Sequence, residues 1–215
     1  MKRILGLLGA GGLALLAVTP TQADIVFASN PGPYLSTPGG SATVGTPFTV
    51  GATPVNITAL GFFDYTGLGL TVAHEVGIYD LGQHLLGSVT VPTGSGVPYH
   101  DGTRWADLSQ SVALAANTGY MLAYHVQGDP DNCWVVGPGN SVTIDPHFAL
   151  SGSGYTLTMG SPLAYPNYLP TYGWYLFGGN MAVSVPEPGQ WATMGVTLLG
   201  VAGYGFRRYR LNRAA

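Results

Sequence analysis

The chain has 215 residues, of which 8 % are charged and 46 % hydrophobic, with 33 Gly and 16 Pro. The absence of a Gly-X-Y period excludes collagen, and the hydrophobic share excludes a disordered chain. Charge is segregated: between Asp24 and Val185 nine carboxylates stand against a single cation, Arg104, a net charge of −8 that argues against nucleic acid as a partner.

The N-terminus reads as an address. Lys2 and Arg3 precede a charge-free apolar run over 4–18, and Thr21-Gln22-Ala23 places small residues where signal peptidase reads them. Residues 1–23 therefore read as a secretory signal peptide cut after Ala23, with an uncleaved anchor as the alternative.

From 24 to 184 the chain reads as short strands separated by turn formers. The expected strands are 47–50, 57–64, 74–79, 84–91, 103–107, 120–126, 134–136, 141–144, 155–159, 174–177 and 180–185. Asp80-Leu81-Gly82-Gln83 reads as a hairpin connection, and Asn117-Thr118-Gly119 as a turn into the strand at Tyr120. No stretch carries a helical period. The expected fold is all-β, an antiparallel β-sandwich of jelly-roll type, in which Tyr79 and Trp105 lie half-buried on the sheets.

Catalytic templates are missing. No G-x-S-x-G, G-x-G-x-x-G or P-loop occurs, and the five histidines show no H-x-H or H-E-x-x-H spacing. A hydrolase would require His125, Asp129 and His147 to converge. Cys133 can form no intrachain disulfide, and beside Trp134-Val135-Val136 it reads as a small apolar strand residue. No cofactor is expected. Asp129, Asp131 and Asn132 form a candidate calcium loop, but Cys133 takes the next alternating position; the other reading is a solvated Asp-Pro turn. The stretch 165–177 is rich in aromatics. Tyr168, Tyr172, Trp174 and Tyr175 are candidates for stacking on sugar rings, or else they seal one end of the body.

The C-terminus, 185–215, has three parts in order. Pro186-Glu187-Pro188 is followed by an uncharged apolar run over 191–206, then by Arg207, Arg208, Arg210 and Arg213. Sixteen residues span about 24 Å as a helix, and Trp191, Tyr209 and snorkelling arginines make up the bilayer thickness. The arginines place that end in the cytoplasm and the body outside the inner membrane.

This order resembles the PEP-CTERM sorting signal. The resemblance implies a Gram-negative host and an exosortase as processing partner. It also implies cleavage near Pro186-Glu187-Pro188, with the body released or moved to the envelope and extracellular matrix. A plain single-span tail anchor is the alternative. The body is similar to a β-sandwich domain of unknown function common among PEP-CTERM proteins. The likeness rests on Val76-Gly77-Ile78-Tyr79-Asp80 through Leu85-Leu86, on Arg104-Trp105, on Leu114-Ala115-Ala116-Asn117-Thr118-Gly119-Tyr120, and on Gly178-Gly179-Asn180-Met181. Asn117 stands where that family has Gly, and Met181 where it has an aromatic. The resemblance implies no catalytic residue. The expected function is that of a non-enzymatic envelope or matrix protein; the alternative is a carbohydrate-binding module that meets exopolysaccharide through the aromatics of 165–177.

Overall fold

The computed structural model describes residues 25–29, 35–36, 40–128, 130–131, 133–136, 142–152, 155–160, 162–167 and 175–184. The expected signal peptide, the Pro-Glu-Pro triplet, the apolar run 191–206 and the arginine tail lie outside them. Among the described residues no helix is long and apolar enough to cross a membrane.

These residues form only strands and their connections. The strands are β1 (Ile25–Val26), β2 (Ala28–Ser29), β3 (Leu35–Ser36), β4 (Ser41–Val50), β5 (Val55–Phe63), β6 (His74–Asp80), β7 (Leu85–Val91) and β8 (Tyr99–His100). They continue with β9 (Thr103–Leu114), β10 (Gly119–Gln127), β11 (Cys133–Val136), β12 (Thr143–Ile144), β13 (Phe148–Leu150), β14 (Thr156–Met159), β15 (Tyr175–Phe177) and β16 (Gly179–Ser184). One sheet has the order β1-β16-β5-β9-β8, and a second has β13-β4-β10-β6-β7 with β14 also on β4. Two smaller sheets are β15-β11-β3 and β12-β2, and every pairing is antiparallel.

The two large sheets share one core. Ile57, Leu60, Phe62 and Met181 from the first meet Phe48, Ile78, Leu122 and Tyr124 from the second, all fully buried. Phe27, Phe48 and Phe148 pack as a triad with ring centroids 5.2 to 5.7 Å apart. β10 explains its own composition. Tyr120, Leu122, Tyr124 and Val126 point into this core, while Met121 and Ala123 face a second apolar cluster with Tyr79, Leu163 and Tyr165. A strand covered on both faces has no polar side to show, so its sequence does not alternate.

Several elements differ from the sequence expectation. β4 begins at Ser41, because Ala42 and Val44 already face the core between small polar residues that carry little strand signal. β9 runs to Leu114, with Leu108–Ser111 of the sequence bulging between the Asp107↔Ala59 and Val112↔Ile57 pairs. Tyr79 and Trp105 are buried rather than half-buried, Tyr79 under Leu163 and Tyr165 of a segment that crosses its sheet and Trp105 under the stacked ring of His100. The β8–β9 hairpin, absent from the expectation, turns on Asp101 (φ 51°) and Gly102 (φ 72°), two successive left-handed residues of an Asp-Gly pair. Asn117 sits at φ 54°, so it supplies the left-handed turn that Gly would.

The Gly178-Gly179-Asn180 run is explained by crowding. A Cβ at Gly178 would lie 2.5 Å from the Tyr124 ring. Asn180 is buried and donates its side-chain amide to the Ala28 carbonyl at 2.9 Å while accepting the Ala28 amide at 3.2 Å, which ties β2 to β16.

Candidate functional site

An open groove of about 660 Å³ runs over the outer face of the five-stranded sheet. Its floor holds Ala59 of β5 and Ala182 of β16, paired neighbours whose small side chains leave a depression. One wall is the connection from β7 to β8, with Pro92, Val97 and Pro98, and the other features are Trp105, His100, Thr58 and Asp107. Gly61, opposite Trp105 on β5, has no room for a side chain against Thr103 and the Trp105 ring, so the indole lies down on the sheet. His100 stacks on that indole with centroids 4.8 Å apart and 12° between planes. The Trp105 Nε1–H donates to the His100 carbonyl at 3.2 Å. Asp107 and Thr58 are exposed at the groove edge.

A buried ion pair holds the groove wall. Arg104 and Asp64 are each 3 % exposed. Arg104 Nε donates to Asp64 Oδ2 at 2.8 Å; Nη1 donates to the Ser95 and Val97 carbonyls at 3.1 and 2.9 Å, and Nη2 to the Gly67 carbonyl at 2.7 Å. Asp64 also accepts the Gly67 and Gly69 amides and the Thr66 hydroxyl. Burial works to raise the Asp64 carboxyl, but the hydrogen bonds from Arg104, Gly69 and Thr66 outweigh it and hold it below its ordinary value. The guanidinium also lies 4.4 Å from the centre of the Tyr99 ring. The one cation of the body is thus a clamp between two loops, and it presents no charge to a ligand.

The residues singled out from sequence fare differently. Tyr175 packs at 6.3 Å from Phe177, and its hydroxyl donates to the Gly152 carbonyl at 2.8 Å. Tyr165 packs edge-on against Tyr79 at 5.7 Å. Tyr168, Tyr172 and Trp174 lie outside the described residues, as do Ala23, Pro186, Glu187, Pro188, Arg207, Arg208 and Arg210. Asp129 and Asn132 lie outside them too. Asp131 turns its carboxylate to the protein: it accepts the Thr71 and Val72 amides and pairs with His74 Nε2 at 3.0 Å. His74 is wholly buried, stacked on Phe62 at 3.6 Å, and its Nδ1 lies 3.0 Å from the His125 carbonyl. Both ring nitrogens of His74 thus face oxygen atoms of the protein. Among the described residues no three of His, Cys, Asp and Glu converge to hold a metal ion.

His125 and His147 do not meet. His125 lies across from Thr43, and the His147 carbonyl accepts the Gly51 amide. Those positions stand roughly 26 Å apart along the strand direction. Cys133 is fully buried, near Tyr124 and Gly178. Burial raises the Tyr124 hydroxyl well above its ordinary value.

The groove was not anticipated. The signal for it in the sequence is the Asp101-Gly102 hairpin directly before Arg104-Trp105, which folds His100 back over the indole. No known protein family has a sequence profile that matches the chain, and comparison with curated proteins finds no match.

Proposed function

We propose that the chain is an exported, non-enzymatic protein of the cell envelope or extracellular matrix. Its body is a β-sandwich of jelly-roll type, set between a signal peptide over 1–23 and a single transmembrane helix over 191–206. The observation that carries this reading is the order Pro186-Glu187-Pro188, apolar run, Arg207-Arg208 and Arg210 at one end, with a signal-peptide pattern at the other. Signal peptidase cuts after Ala23, the apolar run halts export in the inner membrane, and an exosortase cuts near Pro186 to Pro188. The pairing of β1 with β16 supports a single tethered end: Ile25 lies opposite Val183, so the first and last strands of the described body are neighbours. The acidic exterior suits a soluble surface component, because Arg104 is buried and no lysine occurs between 24 and 184.

The test is the intact mass of the protein from host membrane and medium, with and without exosortase. A species from Asp24 to the Pro186–Pro188 region, found only with exosortase, is the expected result. A full-length tail in the membrane under both conditions contradicts the sorting reading.

A further inference from the structure

We propose that the groove over Ala59, Ala182, His100 and Trp105 binds a neutral saccharide chain, with sugar hydroxyls donating to Asp107 and a sugar ring lying against His100. Tyr165, Tyr175 and Phe177 do not line this groove, and the proposal does not rest on the sorting reading.

Charge sets the first limit. Asp107 is exposed at the groove edge, and the Asp101 carboxylate lies 3.3 Å from His100 Nδ1 beside it. Arg104, the only Lys or Arg between 24 and 184, has its donors taken by Asp64, Ser95, Val97 and Gly67. Among the described residues no Lys or Arg side chain lines the groove while Asp107 does, so a phosphorylated or uronic-acid ligand is disfavoured. The floor sets the second limit. Ala59 is paired on both sides, with Asp107 of β9 and Ala182 of β16, so the floor presents no open strand edge to a peptide. Recognition falls to side chains: the Asp107 carboxylate and the Thr58 hydroxyl as polar groups, and His100, Pro92, Val97 and Pro98 as apolar or flat surface.

A sugar ring matches this set. It carries hydroxyl donors for a carboxylate and a C–H face for a flat ring. The volume falls within the roughly 300–1,000 Å³ usual for ligand sites. The open ends suit a chain of sugars better than one. A cationic ligand would meet the exposed Asp107 and Asp101 carboxylates but leave the apolar surface of Pro92, Val97 and Pro98 unused. The wall is fixed before binding, because Arg104 holds the Ser95 and Val97 carbonyls, so little ordering cost falls on association.

The experiment is calorimetric titration of the full chain in detergent with cellohexaose, maltohexaose and mannohexaose as neutral probes. Hexagalacturonate serves as the acidic probe and hexalysine as the cationic one. The same titrations are run on Asp107→Asn, which keeps the shape, and on Thr58→Trp, which fills the trough from an exposed position. Thermal melts verify that both variants fold. At least one neutral hexasaccharide is expected to bind, with hexagalacturonate at least tenfold weaker. Asp107→Asn should weaken the neutral probe about tenfold and Thr58→Trp should abolish binding. Binding of hexalysine alone, equal binding of the acidic probe, or no binding of any neutral probe overturns the proposal. So does a neutral probe that binds both variants as tightly as the unaltered chain.

Discussion

The outer faces of the two large sheets are built alike and finished differently. On the six-stranded sheet, Tyr79, Met121 and Ala123 form an apolar surface, and residues 162–167 cross it as a strap. Pro166 sits against Gly45 and Leu163 against Gly77, positions where a side chain would collide. The strap is fastened by the Leu163 amide to Glu75 at 3.0 Å, the Ala164 amide to the Thr43 hydroxyl at 3.2 Å and the Asn167 amide to the Thr158 hydroxyl at 3.1 Å. On the five-stranded sheet, Ala59 and Ala182 take corresponding outward positions and a groove remains above them. The difference teaches that side-chain size on a sheet's outer face decides whether chain can lie on it. Glycine admits a covering segment, whereas paired alanines beside a flattened tryptophan leave a trough that a ligand can use.

The strongest way to break this contrast is to release the wall of the open face. Asp64→Asn leaves the Arg104 guanidinium buried without its counter-charge and should cost about 3–5 kcal/mol in urea unfolding. Loss of the Ser95–Val97 wall and of saccharide binding should accompany it. The same pair gives a pH signature. The Asp64 carboxyl is lowered on folding, so its stabilisation is complete above the ordinary carboxylate value of about 3.9. It is lost as pH falls through the lowered folded value. Acid unfolding below about pH 4 should therefore be steeper for the unaltered chain than for Asp64→Asn. Equal slopes would remove the pair from the account.

Next in size is the covered face. Gly45→Ala pushes a methyl group into Pro166 and the Met121 sulfur and should cost about 1–3 kcal/mol. Its mark is faster hydrogen exchange at the Ala164 amide with no change in the groove. Smaller still is the β6–β7 turn, which belongs to neither face. Gln83 stands at φ 70°, so Gln83→Gly should raise stability by about 0.5 kcal/mol and leave both faces unaltered. Smallest is Thr58→Ala, exposed on the open face, which should change thermal stability by less than about 0.5 kcal/mol. A large loss there would mean that the groove edge is structural.

The strand-rich character was legible because it rests on local signs. Short β-branched and aromatic runs, separated by Gly, Pro and Asn, locate most of the long strands. Asn117 shows how a turn can be read from one residue type, since only its tolerance of left-handed backbone is needed. The starts of β4 and the end of β9 were not legible. Their polar and small residues gain strand geometry from partners far along the chain, β10 for one and β5 for the other. The site was hidden for the same reason. Arg104 read as a lone cation, and only the fold brings Asp64, Gly67, Ser95 and Val97 around it. Trp105 is legible as an aromatic strand residue, but its flat placement depends on Gly61, forty-four positions earlier.

The most direct test of the open groove is diethyl pyrocarbonate modification of the five histidines, read residue by residue by mass spectrometry with and without a saturating neutral hexasaccharide. His74 is sealed, while the side chains of His100 and His84 are 42 % and 79 % exposed. The predicted result is rapid modification of His100 and His84, slow modification of His74, and protection of His100 alone by the sugar. Equal rates at His100 with and without sugar, or protection of His84 instead, would contradict a saccharide site on this face.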